Sequence, residues 1–372
     1  MRELRKIVVV LLILAVTFGV LSVAGCKTET KNNCAVEDKP TFVFNDWNEC
    51  AALNSLKAFV TATTDKNSKD YIPVEDRIAV FDMDGTLCGE LFPEYLEYLL
   101  LEYRVLEDPE YKDIASEDLI TVATEIRESG KNYKTPSISN YDVRHGEAQA
   151  KAFAGLTPDE FMAYVEKFLD RAAQGFEGLK YSDSIYKPMI EVVTYLQEND
   201  FTCYVVSGSD RMICRVVACE ALNIPQNQII GMDVNLVATN EPDSETNDEY
   251  HYNNLHYQFN DGGEDKLVRG DQLWIKNLKM NKVFQIAQEI GKQPVLSFGN
   301  SSGDVSMHEY TITNNKYRAE AFMLIADDAE RDHADLVETG KRAAQWEERG
   351  YTVISMKNDF KTIYGYDVVK VD

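Results

Sequence analysis

The chain has 372 residues, of which 44% are hydrophobic and 27% are charged, a composition typical of a folded globular protein. Its formal net charge at pH 7 is −24. This excess of acidic residues argues against nucleic acid and anionic membrane surfaces as partners, because both carry the same sign of charge.

The N-terminus has the pattern of an export signal. Basic residues at positions 2, 5 and 6 precede an apolar stretch from Ile7 to Val23, and small residues then lead to Cys26. The pattern resembles a bacterial lipoprotein box, which implies removal of residues 1–25 and a lipid on Cys26. An uncleaved membrane anchor is the alternative, since the stretch nearly reaches the ~20 residues that a span needs. Both interpretations place the protein outside the cytoplasm on a membrane. Lys27 favours the outer membrane, facing the periplasm, if the host is Gram-negative.

The region after the signal predicts a tether followed by a helix. Residues 26–40 are polar and predict a flexible connection. A helix is predicted from Phe42 to about Val60. Export permits disulfides, so Cys34 and Cys50 either pair or remain free thiols, and the sequence favours neither outcome.

The first chemical motif follows the apolar run Ile78–Phe81, which predicts a buried parallel strand. Asp82 and Asp84 stand just past its carboxyl end, where open α/β sheets bind ligands. Two carboxylates this close require a cation or a shared proton, and their oxygen atoms suit Mg²⁺. Such a pair can supply a nucleophile and a general acid or base. An ordinary Asp-Gly turn is the alternative.

A long segment before the next motif predicts helices and no strands. Apolar periodicity places these helices near Pro93–Leu106, Glu117–Glu128, Pro158–Ala173 and Ile185–Gln197. Glu90, at the start of this segment, is either a ligand for a substrate amine or hydroxyl, or a residue of a first helical turn. Arg144 and His145 are predicted in a solvated loop, with a position over the site as the less favoured interpretation.

A second motif follows the predicted strand Phe201–Val206. The hydroxyl of Ser207 and the backbone N–H groups from Gly208 onward are candidate phosphate ligands at the same edge of the sheet. Helix capping by Ser207 or Ser209 is the alternative. Arg211 is a candidate phosphate ligand or an ordinary surface residue.

Two lysines are candidates for a positive charge at this site, after a predicted β-hairpin or flap over Val234–Asp271. Asn281 is predicted to cap a helix whose first turn contains Lys282. Because the N-terminal end of a helix dipole disfavours lysine, this position indicates a function. Lys276 is predicted in a strand or loop, and we favour Lys282.

A further strand is predicted at Pro294–Phe298, followed by the loop Gly299–Asp304. Within this loop, Asn300 and Asp304 are candidate metal ligands. Asn300 coordinates through its amide oxygen or positions a metal-bound water. Later elements are predicted as a strand at Ala321–Ala326, a charged helix at about Ala329–Arg349 and a strand at Thr352–Ser355.

The four strand-end motifs resemble, in order and spacing, those of the haloacid dehalogenase superfamily, and in detail its phosphoserine phosphatase-like branch. The resemblance covers about Arg77–Met307. It implies an α/β fold with a Rossmann-like parallel-sheet core, an inserted helical cap and a small β-hairpin or flap. The implied boundaries are 41–92 and 186–372 for the core and 93–185 for the cap.

The resemblance also implies a role for each motif. Asp82 attacks phosphorus to form an aspartyl-phosphate, and Asp84 protonates the leaving oxygen and then activates water. Ser207 and Lys282 hold the phosphate oxygens. The implied Mg²⁺ ligands are Asp82, the backbone carbonyl of Asp84, Asp304 and Asn300, which stands where the family pattern has an acid.

These features predict a Mg²⁺-dependent phosphomonoesterase for a small phosphorylated metabolite. A phosphotransferase or mutase of the same fold is one alternative, and a non-catalytic binding lipoprotein, which Asn300 alone favours, is another. The dehalogenases of the superfamily lack the acid at the position of Asp84, so this residue argues for phosphate chemistry. The sequence does not identify the substrate or the oligomeric state.

Overall fold

The computed structural model describes residues 42–90, 95–130, 140–241 and 257–371. The chain divides into two compact units, Met1–Phe42 and Val43–Asp372, and the first lies outside the described residues except for Phe42. The predicted signal, the tether and Cys34 therefore stay predictions. None of the helices in the described ranges combines the length and apolar character needed to cross a membrane.

A mostly parallel sheet forms the core, as predicted. In the described residues it has seven strands in the order β5-β4-β3-β1-β6-β7-β8, and only the β4–β5 pair is antiparallel. The strands are β1 (Ile78–Phe81), β3 (Thr202–Asp210), β4 (Ile229–Ala238), β5 (Leu267–Ile275), β6 (Leu296–Gly299), β7 (Glu320–Ile325) and β8 (Thr352–Ser355). A separate antiparallel pair joins β2 (Phe176–Glu177) to β9 (Val369–Lys370).

The central strand β1 is buried along its whole length, because helices cover both faces of a parallel sheet. Its last residue, Phe81, is in register with Phe298 of β6, which is in register with Phe322 of β7. Since in-register side chains share one face of the sheet, the three rings stack with centroid distances of 4.5 and 4.8 Å. This stack fixes the register of the strands next to the loops that begin at Asp82 and Asn300.

Helices surround the sheet and form the predicted cap. The core helices are α1 (Ala51–Thr64), α6 (Lys187–Glu198), α7 (Arg211–Leu222), α8 (Met280–Gln285), α9 (Val305–Ile312), α10 (Leu336–Glu348) and α11 (Met356–Asp359), and α8 continues as a π-helical turn over Ile286–Ile290. The cap helices are α2 (Leu96–Leu106), α3 (Glu117–Gly130), α4 (Tyr141–Ala152) and α5 (Pro158–Leu169). The predicted domain boundaries are untested and stay a prediction.

Two helices begin later than predicted, because capping side chains set their first residues. Helix α1 begins at Ala51, where the Cys50 side chain accepts a hydrogen bond from the Leu53 N–H. Helix α10 begins at Leu336, because Asp335 caps it by accepting from two backbone N–H groups. Cys50 is a free thiol among the described residues.

The cap differs from its prediction in two places. The segment containing Arg144 and His145 is helix α4 and not a loop, and His145 is fully buried. A strand, β2, also lies in the region predicted to be entirely helical, and it is stabilised by pairing with the C-terminal β9. Its partner is nearly two hundred residues away, so no local pattern indicates it.

The predicted hairpin is confirmed as the antiparallel pair β4–β5, although its strands are longer and extend the main sheet. Strand β5 also contacts the cap through its backbone. The N–H of Gly155 donates to the carbonyl of Arg269 and the N–H of Arg269 donates to the carbonyl of Leu156, both at 2.8 Å. The hairpin therefore connects the sheet to the loop between α4 and α5.

Candidate active site

The loop after β1 starts the site. The backbone N–H of Asp82 donates to the carbonyl of Phe298 at 2.9 Å, which continues the sheet by one bond and fixes the first aspartate. Gly85 has φ +77°, a conformation that favours glycine. A Cβ atom there would lie 1.9 Å from Nδ2 of Asn300. Glycine thus permits both the turn and the close approach of the loop that follows β6.

Lys282 connects the first and last motifs. Its side chain is 1% exposed, and Nζ lies 2.5 Å from Oδ1 of Asp82 and 2.7 Å from Oδ1 of Asp304. Burial alone lowers the pKa of Lys282, but the two carboxylates outweigh this effect and raise it. The lysine is therefore charged, and the two carboxylates lie on either side of one cation.

The helix that presents Lys282 begins differently from the prediction. Helix α8 starts at Met280 after Lys279, whose φ is +55°. Asn281, predicted as the N-cap, lies inside the first turn and donates to the backbone carbonyl of Lys276 at 2.8 Å. Lys276 follows β5 in a loop, and its Nζ lies 2.9 Å from Oε1 of Glu97.

The second aspartate has a different environment. The hydroxyl of Ser209 donates to Oδ2 of Asp84 at 2.7 Å, and the Ser207 hydroxyl lies 3.5 Å from the same oxygen. Burial raises the pKa of Asp84 to about 6. Asp84 is thus a carboxyl group that exchanges a proton near neutral pH.

Ser209 is a site residue that the sequence interpretation missed. Strand β3 continues through Asp210, so Ser207 and Ser209 lie on the same face of the strand. Helix α7 is capped by Asp210, whose side chain accepts from the N–H of Met212, and neither serine caps it. The alternation of two small hydroxyl residues was the signal that was available in the sequence.

The loop after β6 encloses the other side of the site. Oδ2 of Asp304 accepts from the backbone N–H groups of Asn300 and Ser301 at 3.1 and 3.0 Å. Burial alone raises the pKa of Asp304, but Lys282 outweighs it and lowers the pKa below its ordinary value. Asp304 is therefore ionised and is held by its own loop.

Glu90 lies against this loop. Its Oε2 accepts from Nδ2 of Asn300 at 3.0 Å, and its Oε1 accepts from the hydroxyl of Tyr95 at 2.7 Å. Burial raises the pKa of Glu90 to about 7. Glu90 therefore lies close to the loop that follows β1 and to the loop that follows β6.

One pocket collects most of the predicted residues. It is lined by Asp82, Asp84, Glu90, Gly208, Lys282, Asn300 and Asp304 from the predicted set, and by Tyr95, Glu97, Tyr98, Asp142, Ser209, Lys276, Leu278 and Ser301. Ser207 is fully buried beside it and also accepts from the N–H of Ser209 at 3.0 Å. A Cβ atom on Gly208 would lie 2.5 Å from the Leu278 side chain, so glycine permits this packing.

Arg211 is placed outside the pocket lining. Its guanidinium lies 2.7 Å from Asp233 and 2.6 Å from Glu289, which form ion pairs along two of its edges. In the cap, Arg144 pairs with Asp118 at 2.8 Å, whereas Nδ1 of His145 lies 3.4 Å from Glu97. The structure therefore does not bring these two arginines to the aspartates.

The donors in the pocket suit a hard divalent cation. Asp82 and Asp304 supply carboxylate oxygens, and the Asp84 backbone and Asn300 supply neutral oxygens, the ligand types that Mg²⁺ prefers. Among the described residues, no cluster of three or more His, Cys, Asp or Glu side chains has metal-binding geometry. The fit therefore depends on a mixed set of two carboxylates and two neutral oxygens.

Asp84→Asn is expected to stabilise the metal-free protein at pH 8. Because the folded-state pKa of about 6 exceeds the ordinary 3.8, the folded protein loses stability as pH rises through this range. The neutral amide removes this loss, which corresponds to ~1–3 kcal/mol at 1.36 kcal/mol per pKa unit. Thermal unfolding with EDTA at pH 8 and pH 4 measures the effect, which should vanish at pH 4. A lower melting temperature at pH 8 would contradict it.

Comparison with known proteins identifies the family. Residues 79–309 match the family model described as haloacid dehalogenase-like hydrolase. The chain belongs to this family, as the order of its motifs predicted. No curated protein sequence matches the chain.

Solved structures with low sequence identity are also similar to the chain. A functionally unknown protein from Anaerococcus prevotii is 15% identical, with 86% of this chain and 97% of that one covered and a TM-score of 0.46. A phosphoserine phosphohydrolase-like protein from Francisella tularensis is 14% identical, with coverages of 75% and 94% and a TM-score of 0.37. Cytosolic 5'-nucleotidase IIIB bound to cytidine is 13% identical, with coverages of 87% and 86% and a TM-score of 0.44.

Proposed function

We propose that the protein is a Mg²⁺-dependent phosphomonoesterase that acts through an aspartyl-phosphate on Asp82. The observation that carries the proposal is the contrast between two neighbouring aspartates. Burial raises the pKa of both carboxyl groups, and the nearby Asp304 raises that of Asp82 further. The two differ in their partners. Asp82 lies 2.5 Å from the ammonium group of Lys282, which favours the carboxylate that a nucleophile requires. Asp84 accepts from the Ser209 hydroxyl and has a pKa of about 6, as a general acid and base requires. These different partners assign the two chemical roles.

In the first step, a carboxylate oxygen of Asp82 attacks phosphorus while the bond from phosphorus to the ester oxygen breaks. Asp84 transfers its proton to that leaving oxygen, and the alcohol departs. In the second step, Asp84 takes a proton from water, whose oxygen attacks phosphorus. The Asp82–phosphorus bond then breaks, and inorganic phosphate and the original carboxylate are restored.

The remaining residues position the phosphate and balance its charge. Lys282 and the Ser207 hydroxyl bind its non-bridging oxygens in this proposal, together with backbone N–H groups near Gly208, which lines the pocket with Lys282. Asp82, the carbonyl of Asp84, Asp304 and Asn300 are the residues that would hold Mg²⁺. When bound, this ion offsets the charge of the carboxylates and the phosphate.

Activity assays separate this proposal from its alternatives. The protein is incubated with p-nitrophenyl phosphate and a panel of small phosphomonoesters, with Mg²⁺ or with EDTA, and released phosphate is measured. Mg²⁺-dependent turnover supports the phosphatase. Phosphate transfer to added alcohols or sugars indicates a transferase or mutase, and absence of turnover on the whole panel favours a binding protein.

We also propose that the protein acts outside the cytoplasm, anchored by a lipid on Cys26. The support is the sequence pattern that ends at Cys26, which lies outside the described residues. Cys26→Ser is expected to remove the lipid and leave the chain uncleaved, which a mass shift and loss of metabolic labelling by palmitate would report. Equal labelling of the variant and the natural chain would contradict the proposal.

A further inference from the structure

The metal site has one fewer acidic side chain than the family pattern implies. Asp82 and Asp304 carry the formal charges of the ligands, whereas Asn300 and the carbonyl of Asp84 are neutral. A divalent cation held by two charges is bound more weakly than one held by three. A carboxylate close to Asn300 would offset this difference.

Glu90 occupies such a position. Its Oε2 lies 3.0 Å from Nδ2 of Asn300. A Cβ atom built on Gly85 would lie 1.9 Å from Nδ2 of Asn300 and 2.8 Å from Oε2 of Glu90. The Glu90–Asn300 pair therefore lies directly against the backbone of the loop that carries both aspartates, where only a glycine leaves room for it.

The position of Glu90 is fixed from both sides. The N–H of the preceding Gly89 donates to the carbonyl of Ser184 at 3.0 Å, and the Tyr95 hydroxyl donates to Oε1 at 2.7 Å. The hydrogen bond to Glu90 also sets the amide of Asn300, because the NH₂ group faces the carboxylate and Oδ1 points away from it. An amide can coordinate a cation well only if its oxygen is held in a fixed orientation, as this hydrogen bond does for Asn300.

Glu90 has no close cationic partner among the described residues. No lysine, arginine or histidine there lies within ion-pair distance of it, and Arg342 favours its charged form only from farther away. The two lysines of the pocket pair with other acids. An ionised carboxylate with little solvent requires a nearby positive charge. In this pocket, a divalent metal ion bound at Asp82 and Asp304 is the candidate for that charge.

We propose that Glu90 supplies the negative charge that Asn300 lacks, and that it acts on the cation through its hydrogen bond to the Asn300 amide. Glu90 is then a positioning residue of the metal site. The inference rests on the proposed function, since it requires a cation at this site. It differs from the sequence interpretation, in which Glu90 either binds a substrate amine or hydroxyl or belongs to a first helical turn.

The test measures Mn²⁺ affinity without substrate, using the full chain purified in a mild detergent and the electron paramagnetic resonance signal of free Mn²⁺. Glu90→Gln is expected to raise the Kd for Mn²⁺ about tenfold or more, the range typical of residues that orient metal ligands. The double variant Glu90→Gln/Asn300→Asp moves the charge to the other side of the same hydrogen bond. It is expected to restore the Kd to within about threefold of the natural chain.

Asp170→Asn is the control, since Asp170 is 75% exposed, pairs with Lys180 and lies outside the pocket lining. Its Kd for Mn²⁺ should change less than about twofold, because solvent screens an exposed charge. Circular dichroism verifies folding of each variant. If Glu90→Gln does not fold, the double variant is compared directly with the natural chain, and tenfold weaker binding then counts against the proposal.

Two results would overturn the inference while leaving the phosphatase proposal intact. An unchanged Kd in Glu90→Gln with a raised KM would assign Glu90 to the substrate. A weakened Kd that the double variant does not restore would show that Glu90 has a structural role only. If the natural chain itself binds no Mn²⁺, the metal dependence of the proposed function fails as well.

Discussion

Replacing Asp82 with asparagine is expected to abolish phosphate release while the fold is retained. The amide has the shape of the carboxylate but cannot form the bond to phosphorus, so kcat should fall by roughly 10³-fold or more, as when other covalent nucleophiles are removed. Single-turnover and steady-state assays with the best substrate of the panel measure the loss. Residual turnover close to that of the natural chain would show that Asp82 is not the nucleophile.

A trapping experiment makes this test specific. Rapid acid quenching of the natural chain with labelled substrate should retain label on the protein, and hydroxylamine should release it, since an acyl phosphate is acid-stable and reacts with that reagent. Asp82→Asn should retain none. Asp170→Asn is the matched control, because Asp170 is 75% exposed and pairs with Lys180, and the turnover of this variant should be unchanged.

The strongest predictions from sequence concern residues whose position depends on local pattern. The all-apolar run Ile78–Phe81 is buried on both faces in the structure, so a strand with Asp82 at its end follows from composition alone. Likewise, Lys282 precedes a helical stripe and faces the strand ends in the structure. In a parallel sheet, all strands end at one edge, so local assignments suffice to bring these residues together.

The features that were missed depend on distant contacts. His145 looks solvated in its polar segment, yet packing against Tyr98, with ring centroids 4.1 Å apart, and proximity to Glu97 bury it. Ser209 belongs to the site because β3 continues through Asp210, past a shift in its register with β4, and the Ser209 hydroxyl then reaches Asp84. No periodicity around His145 indicates its burial, whereas the two-residue spacing of Ser207 and Ser209 was the one signal for Ser209 in the sequence.

The role of Arg211 also depends on contacts that are distant in sequence, in this case with acidic residues. Its place after the second motif suggested a phosphate ligand, but two acids from distant parts of the chain, Asp233 and Glu289, pair with it. An arginine that already has two carboxylate partners gains little from a third anion. Its role in substrate binding is untested, although its ion pairs favour a structural one.

Replacing Lys282 with methionine is expected to lower the free energy of unfolding of the metal-free protein. The loss should exceed that caused by replacing any surface lysine. Methionine fills a similar volume but leaves Asp82 and Asp304 buried without their shared ammonium group. Breaking a buried ion pair from one side costs about 3–5 kcal/mol in the free energy of unfolding. Urea unfolding with EDTA measures this loss, and phosphate release should fall with it because the phosphate loses a cationic ligand.

Magnesium should partly reverse the loss, and this response distinguishes the active-site interpretation from a purely structural one. If the two carboxylates also bind the cation, the added stability on going from EDTA to millimolar Mg²⁺ should be larger in Lys282→Met than in the natural chain, because binding to the folded state alone stabilises it. Lys292→Met is the control, since this partly exposed lysine pairs with Asp76 and should contribute less than about 1 kcal/mol. Equal Mg²⁺ responses in all three proteins would separate Lys282 from the metal site and leave it as a structural counter-charge.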